Sequence, residues 1–229
     1  MSEMLTDSSQ GGRVDERGGD IKIALPGTWW NVPMDDSESA ARTIRAIVDE
    51  VIGRADDRAT LRNAIREELM SDVNAARSRG AHALYLAREL TRGIPLSASL
   101  TVLWPRVSDV PADIAEEPWL HRAVLKLAVD ASRKDGDTGD GTEQDPSLDA
   151  DLDIPGMAML RRVARHTTLT ASGQPSVALQ VDYWIAFAGH ARPALISFSS
   201  VFSGMDEQLV GLFDAIAATT TWQDDLEGT

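Results

Sequence analysis

Between Val177 and Phe187, apolar side chains recur at every second position. Val177, Leu179, Val181, Tyr183, Ile185 and Phe187 share one face, and Ala178, Gln180, Asp182 and Trp184 share the other. A period of two describes a strand with one buried face, and its length predicts a place in the interior of a sheet. Runs at Met157–Leu169 and Ala194–Phe202 flank it across Ser172-Gly173-Gln174-Pro175 and Gly189-His190-Ala191-Arg192-Pro193. Connections this short and turn-rich predict an antiparallel meander. Nearer the N-terminus, Ile21, Ile23 and Leu25 predict a first strand that stops at Pro26-Gly27. Ala81 to Trp104 predicts two strands around Gly93-Ile94-Pro95, the second alternating as Leu96, Ala98, Leu100, Val102 and Trp104. The stretch up to Leu90 is also compatible with a helix.

Elsewhere the spacing lengthens to three and four. Ala40, Ile44, Ile47, Val48, Val51 and Ile52 predict a helix capped by Asp35 or Ser37 and ending near Gly53. Leu61, Ile65, Leu69, Val73 and Ala76 predict a second, from about Asp57 to Gly80, completing an αα-hairpin. Pro118, Leu120, Val124, Leu127 and Ala128 predict a third helix, ending near Lys134. Leu209, Leu212, Phe213 and Ile216 predict a last one from Met205 to Ala218, followed by an extended Thr219-Thr220-Thr221-Trp222.

Strands that bury one face against helices make an α+β domain. The expected form is an antiparallel sheet of about five to six strands packed against helices, with an N-terminal αα-hairpin insertion. At 229 residues one domain is expected, spanning 21–223. No period of repeat-protein length recurs.

Charge changes this picture only at the margins. The net charge is −14, and all of it sits in three segments: 1–20, 135–153 and 224–229. Residues 1–20 and 224–229 are expected to be acidic tails, and 135–155 a disordered acidic loop whose removal from Gly136 to Asp151 would leave the fold intact. The body between them is neutral, which argues against nucleic acid as a partner. There is no cysteine, no basic-plus-apolar leader in 1–20, and no apolar run of membrane-spanning length, so membrane insertion is not expected and the cytoplasm is.

The spacing of polar residues matches no catalytic or metal-binding signature. The Asp135-Gly136-Asp137-Thr138-Gly139-Asp140-Gly141 stretch lacks the glycine and the final glutamate of a calcium loop. The four histidines, His82, His121, His166 and His190, are scattered, and no serine stands in a nucleophile elbow. No cofactor is therefore expected. Two features suggest a partner. Arg161, Arg162, Arg165 and His166 concentrate positive charge on one predicted strand, read either as a site for an acidic partner or as pairing with the acidic loop and Asp182. Trp29 and Trp30, adjacent in an extended segment, must point in opposite directions, so that one packs on the core and the other can anchor a partner; Trp184 is a third candidate.

The segment Ile23-Ala24-Leu25-Pro26-Gly27-Thr28-Trp29-Trp30-Asn31-Val32-Pro33-Met34, with Ser97-Ala98-Ser99-Leu100-Thr101-Val102, Val181-Asp182-Tyr183-Trp184 and Leu212-Phe213-Asp214-Ala215-Ile216-Ala217, resembles uncharacterised actinobacterial proteins encoded near type VII secretion genes. The order of elements is also similar to that of PsbP-like domains. The first resemblance implies an accessory role beside a secretion system, the second a protein-docking module. Together with the failed enzyme signatures they point to a non-enzymatic protein-interaction or accessory domain. The alternatives are a small-ligand carrier or sensor with a pocket between sheet and helices, lined by Trp184, Tyr183 or Trp30, and an enzyme assembled from groups such as His166 and Asp182.

Overall fold

The computed structural model describes residues 19–105, 142–169, 175–187, 193–202 and 204–224. The helix expected at 118–134 and the loop residues 135–141 lie outside them.

The class is α+β with an antiparallel sheet, larger than expected. Among the described residues nine strands form it: β2 (Thr28–Val32), β3 (Ala81–Thr91), β4 (Ile94–Pro95), β5 (Ala98–Leu103), β6 (Thr142–Gln144), β7 (Ala150–Ile154), β8 (Met157–Leu169), β9 (Pro175–Phe187) and β10 (Ala194–Ser200). The main path runs β2-β3-β5-β10-β9-β8-β6, with β4 beside β3 and β7 beside β8. The surplus over five to six comes from β2, β4, β6 and β7. These strands are short and lie at edges, where one-sided pairing needs no apolar alternation for the sequence to display. β9 is interior, flanked by β10 and β8, as its pattern requires.

A separate two-stranded ribbon joins β1 (Gly19–Lys22) to β11 (Thr221–Asp224). The first strand thus begins inside the residues read as the N-terminal tail, and β11 takes in the first residue of the C-terminal one. Ile21, Ile23 and Leu25 still point to the main core. Trp222 of β11 meets Trp104 and Phe187 with ring centroids 5.5 and 5.7 Å away, which ties the ribbon to the end of the sheet.

Helix α1 (Ser37–Ile52) is capped by Asp36, between the two residues expected to do so. Asp36 has the extended backbone a cap requires, and its carboxylate accepts from Glu38 N and Ser39 N, both at 3.0 Å. Helix α2 (Ala59–Ser78) completes the hairpin, and α3 (Asp206–Ala217) is the last helix. The hairpin packs on one face of the sheet, where Val32, Leu84, Ile44, Val48 and Val73 are buried together with Trp30 and Leu86 beside them. Val51 and Leu61, which the apolar stripes include, flank the hairpin loop and are exposed.

The opposite face carries α3 and the main core. There Leu100, Val181, Tyr183, Ile196, Phe198 and Phe213 meet, and the Phe198 and Phe213 rings stack 4.5 Å apart. β3 serves both clusters: Leu84 and Leu86 face the hairpin, while Ala83, Tyr85 and Ala87 face the main core.

Of the acidic loop expected at 135–155, the described residues form β6, a 3-10 turn over Pro146–Leu148, and β7, which lie along β8. The reading from composition fails because this segment has a few apolar side chains in the right places. Leu148, Leu152 and Ile154 pack against the main core. A deletion from Gly136 to Asp151 would remove β6, the turn and part of β7, so it is not neutral.

Candidate functional site

The four basic residues of β8 separate onto two faces because successive strand side chains alternate. Arg161 and Arg165 join the face under α3; Arg162 and His166 join the other.

Under α3 the arginines are bound inside the molecule. Arg161 donates through Nε to the Leu148 carbonyl (2.8 Å) and through Nη1 to the Asp214 carboxylate of α3. Tyr183 donates its hydroxyl to the other Asp214 oxygen at 2.8 Å. Burial, then the Asp214 hydrogen bond, push the Tyr183 phenol far above its ordinary range, so it is a fixed donor rather than an acid. Arg165 donates to Asp206 Oδ2 (2.9 Å, Nε) and to Asp145 Oδ2 (3.0 Å, Nη1). Of the two readings of this basic strand, pairing with the acidic segment describes Arg161 and Arg165, although Asp206 and Asp214, 41 and 53 residues away, could not be named from sequence distance.

On the other face, the register aligns Arg162 with Asp182, Asp182 with Ser197, and Ser197 with Thr101, a row running across β8, β9, β10 and β5. Asp182 accepts from Ser197 Oγ at 2.7 Å and from Gln180 Nε2 at 3.0 Å. Loss of solvation raises the Asp182 carboxyl; these hydrogen bonds and the charges of Arg162 and His166 oppose the rise. Thus His166 and Asp182, distant in sequence, act on each other across adjacent strands. Two residues further along each strand, Leu160, Trp184 and Leu195 form the next row on this face, where Trp184 is buried with Ala158 and Ala186. The Trp184 indole N–H is buried and has no acceptor among the described residues.

This back face gathers Arg162, His166 and Trp184, three of the seven candidate residues. Gln180 and Ser197 complete it. The outward set of β9 held the signal for Gln180, since Gln180, Asp182 and Trp184 alternate on one face. Nothing in the sequence marked Ser197. Chemically the face brings together a desolvated carboxyl, a guanidinium and a buried indole donor, groups that hydrogen-bond polar atoms. Among the described residues no group of three or more His, Asp or Glu is placed to hold a metal ion.

The two N-terminal tryptophans point in opposite directions, as their adjacency demands, but both are packed. Trp29 lies against the main core and donates Nε1–H to the Pro26 carbonyl at 2.8 Å. Trp30 lies against the hairpin core, with the Arg88 guanidinium 5.8 Å from its ring centroid. The expectation of one core ring and one surface anchor is therefore corrected: a sheet with layers on both faces gives each ring a core. Of the residues named for a small-ligand pocket, Tyr183 faces α3, whereas Trp184 and Trp30 lie on the opposite face of the sheet, on β9 and β2, with β3, β5 and β10 between them.

Exposed apolar side chains collect elsewhere. β9 begins, β10 ends and α3 begins at one end of the sheet, and there Val177, Val201, Phe202 and Met205 are exposed, at 48, 51, 36 and 49%. Ile94, in the β3–β4 hairpin at the same end, is exposed too.

No family model matches the chain, and no curated protein matches its sequence. Among solved structures it is similar to LpqN, involved in cell envelope biogenesis of Mycobacterium tuberculosis, at 11% identity and a TM-score of 0.40, over 91% of this chain and 86% of that one. It is also similar to a point mutant of the protein Mog1, at 12% identity and a TM-score of 0.37, over 61% of this chain and 78% of that one. No helix among the described residues is long and apolar enough to cross a membrane.

Proposed function

We propose that this chain is a non-enzymatic protein-interaction or accessory domain working in the cytoplasm, and that its partner is another protein rather than nucleic acid. The observation that carries this reading is the apolar end of the sheet. Val201, Phe202 and Met205 fall within five consecutive positions and lie beside the start of β9, where Val177 is also exposed. Grouped exposed side chains of this size are the usual mark of a protein contact, whereas scattered ones are not. Gln208 and Glu207 follow on α3 and are exposed, supplying the polar rim that such contacts have. The sequence resemblance to proteins encoded near type VII secretion genes adds a direction: an accessory role beside a bacterial secretion system.

The test is affinity capture from the native host with the wild-type chain and with Phe202→Glu. A partner held by the wild type and lost from the variant, with thermal unfolding unchanged, supports the proposal. Identical capture by both removes the apolar end from it.

A small-ligand carrier is a second reading, favoured by one observation: the buried Trp184 indole donor without an acceptor among the described residues. A thermal-shift screen with metabolites bearing acceptor groups, run on the wild type and on Trp184→Phe, separates the two. A shift present only in the wild type favours the carrier.

A further inference from the structure

The segment from Thr142 to Ile154, here called the strap, is bound to β8 in the way an extended peptide binds the edge of a sheet. Its ends pair with β8 as strands, Thr142–Gln144 with Ala164–His166 and Ala150–Ile154 with Met157–Arg161. Between them the chain leaves the ladder in the Pro146–Leu148 turn, and contacts to Val163 fill the gap. Asp145 N donates to the Val163 carbonyl at 3.0 Å, and Val163 N donates to Asp149 Oδ1 at 2.9 Å. Beside the apolar contacts of Leu148, Leu152 and Ile154, polar recognition comes from two arginines, each with one partner on the strap and one on α3. Arg161 holds the Leu148 carbonyl and Asp214; Arg165 holds Asp145 and Asp206.

The α3 carboxylates have a consequence for the empty edge. With the strap removed, Asp214 and Asp206 would still hold both guanidiniums in place and balance their charge, so the edge of β8 stays preorganised, with the N–H groups that held the Leu148 carbonyl and Asp145 turned toward a new acceptor. The strap is held less firmly than the core: Leu148, Leu152 and Ile154 pack against the main core without being fully buried, Glu143, Asp151 and Asp153 are exposed, and the Arg165–Asp145 ion pair is of the partly exposed kind that salt screens. Segments of that composition open at lower cost than the core.

We infer that the outer edge of β8 is a recognition site for an extended acidic peptide segment of a partner protein, and that the strap occupies this site in cis until such a segment displaces it. The partner strand would pair with the β8 main chain and place carboxylates at the positions of Asp145 and Asp149. Phe202 follows β10, which β9 separates from β8, so Phe202→Glu tests the apolar end without altering this edge, and the two proposals can fail separately.

The experiment uses the full chain. In hydrogen–deuterium exchange, the amides of 142–154 should exchange together, about tenfold or more faster than those of 179–185 in β9, with the gap widening in about 0.5 M salt. A labelled synthetic peptide of residues 142–156 is then titrated by fluorescence anisotropy. It should bind the Asp145→Asn/Asp149→Asn variant about tenfold more tightly than wild type, because the cis strap is weakened while the peptide keeps its carboxylates. Adding Arg165→Ala to that variant should abolish the gain. Strap amides as protected as β9 in the wild type would overturn the inference, and this measurement decides alone if circular dichroism shows the double variant unfolded. Equal peptide affinity for wild type and a folded double variant would overturn it too.

Discussion

Tyr183, in the interior of β9, hands its hydroxyl proton toward Asp214 Oδ1 on α3 at 2.8 Å, so the last helix is fastened to the middle of the sheet by a buried hydrogen bond to a charged acceptor. Arg161 takes the other carboxylate oxygen. Helix α3 is thereby fixed in register as well as packed through Leu209, Phe213 and Ile216.

Tyr183→Phe keeps the ring against Phe198 and removes only that bond. Hydrogen bonds to charged groups contribute about 1.5–3 kcal/mol, and the variant should lose an amount in that range in urea unfolding. Wild-type stability in the variant would show that Asp214 is fully served by Arg161 and water.

Trp29→Ala and Trp30→Ala should both destabilise, because each ring packs on a core. Large aromatic truncations at buried sites cost about 3–5 kcal/mol. These rings are partly buried, and each loss should approach the lower end. Trp29 also forfeits its bond to Pro26. A Trp30 variant of unchanged melting temperature would return that ring to the role of surface anchor.

Gly27 tolerates no side chain. Its φ is +78°, and a Cβ there would stand 2.0 Å from the Glu89 carbonyl oxygen and 2.5 Å from that of Leu90. Both obstacles are backbone, so Gly27→Ala must displace β3 from the turn leading into β2. A loss of more than about 2 kcal/mol is expected. Gly53→Ala, with the same sign of φ but open space around it, should cost less, only about 1 kcal/mol. Equal losses at the two sites would mean that conformation alone, and not the collision, governs Gly27.

Stability should respond to acid in two opposed ways. The Ser147 hydroxyl and Arg165 hold the Asp145 carboxyl below its ordinary value, and the Ser39 hydroxyl with the Glu38 amide does the same for Asp36. A lowered carboxyl contributes stability that is complete above the unfolded value of about 3.9 and is lost as pH falls through the folded one. Relative to wild type, Asp145→Asn should therefore be less stable at neutral pH and converge on it in acid. Asp182 is raised by burial, so the wild type gains stability on acidification through that raised value. The difference between Asp182→Asn and wild type should accordingly fall as pH drops. Melting temperatures from pH 7 down to about 3 check both slopes, and parallel profiles would contradict both assignments.

Much of the architecture was legible because periodicity reports burial directly. The β9 alternation located the main core, with Leu179, Val181, Tyr183 and Ile185 buried on one face. The stripe through Ala40, Ile44, Ile47 and Val48 located the hairpin core. What stayed hidden was whatever depends on a second chain segment. The polarity of Thr142 to Asp153 suggested solvation, but Arg165 of β8 pairs with its Asp145 carboxylate and Arg161 holds its Leu148 carbonyl. The strand bearing Arg161 and Arg162 announced its charge, while alternation sent the two residues to opposite faces and to partners 53 and 20 positions away, Asp214 and Asp182. A tryptophan pair reads as half exposed when only one layer is imagined. Here the sheet is covered on both faces at that edge.

That double cover makes the helical hairpin less detachable than its place in the chain suggests. Ser37 to Ser78 can be excised on paper, since β2 and β3 are direct neighbours in the sheet. Yet Trp30, Val32, Leu84 and Leu86 would then present a bare apolar strip on the very strands whose reverse faces bear Trp29 and Tyr85. A chain shortened in this way would not be a smaller version of the same domain but a sticky one, prone to self-association. The hairpin is thus a structural half of this protein's N-terminal end, inherited with the sheet and not interchangeable with a loop.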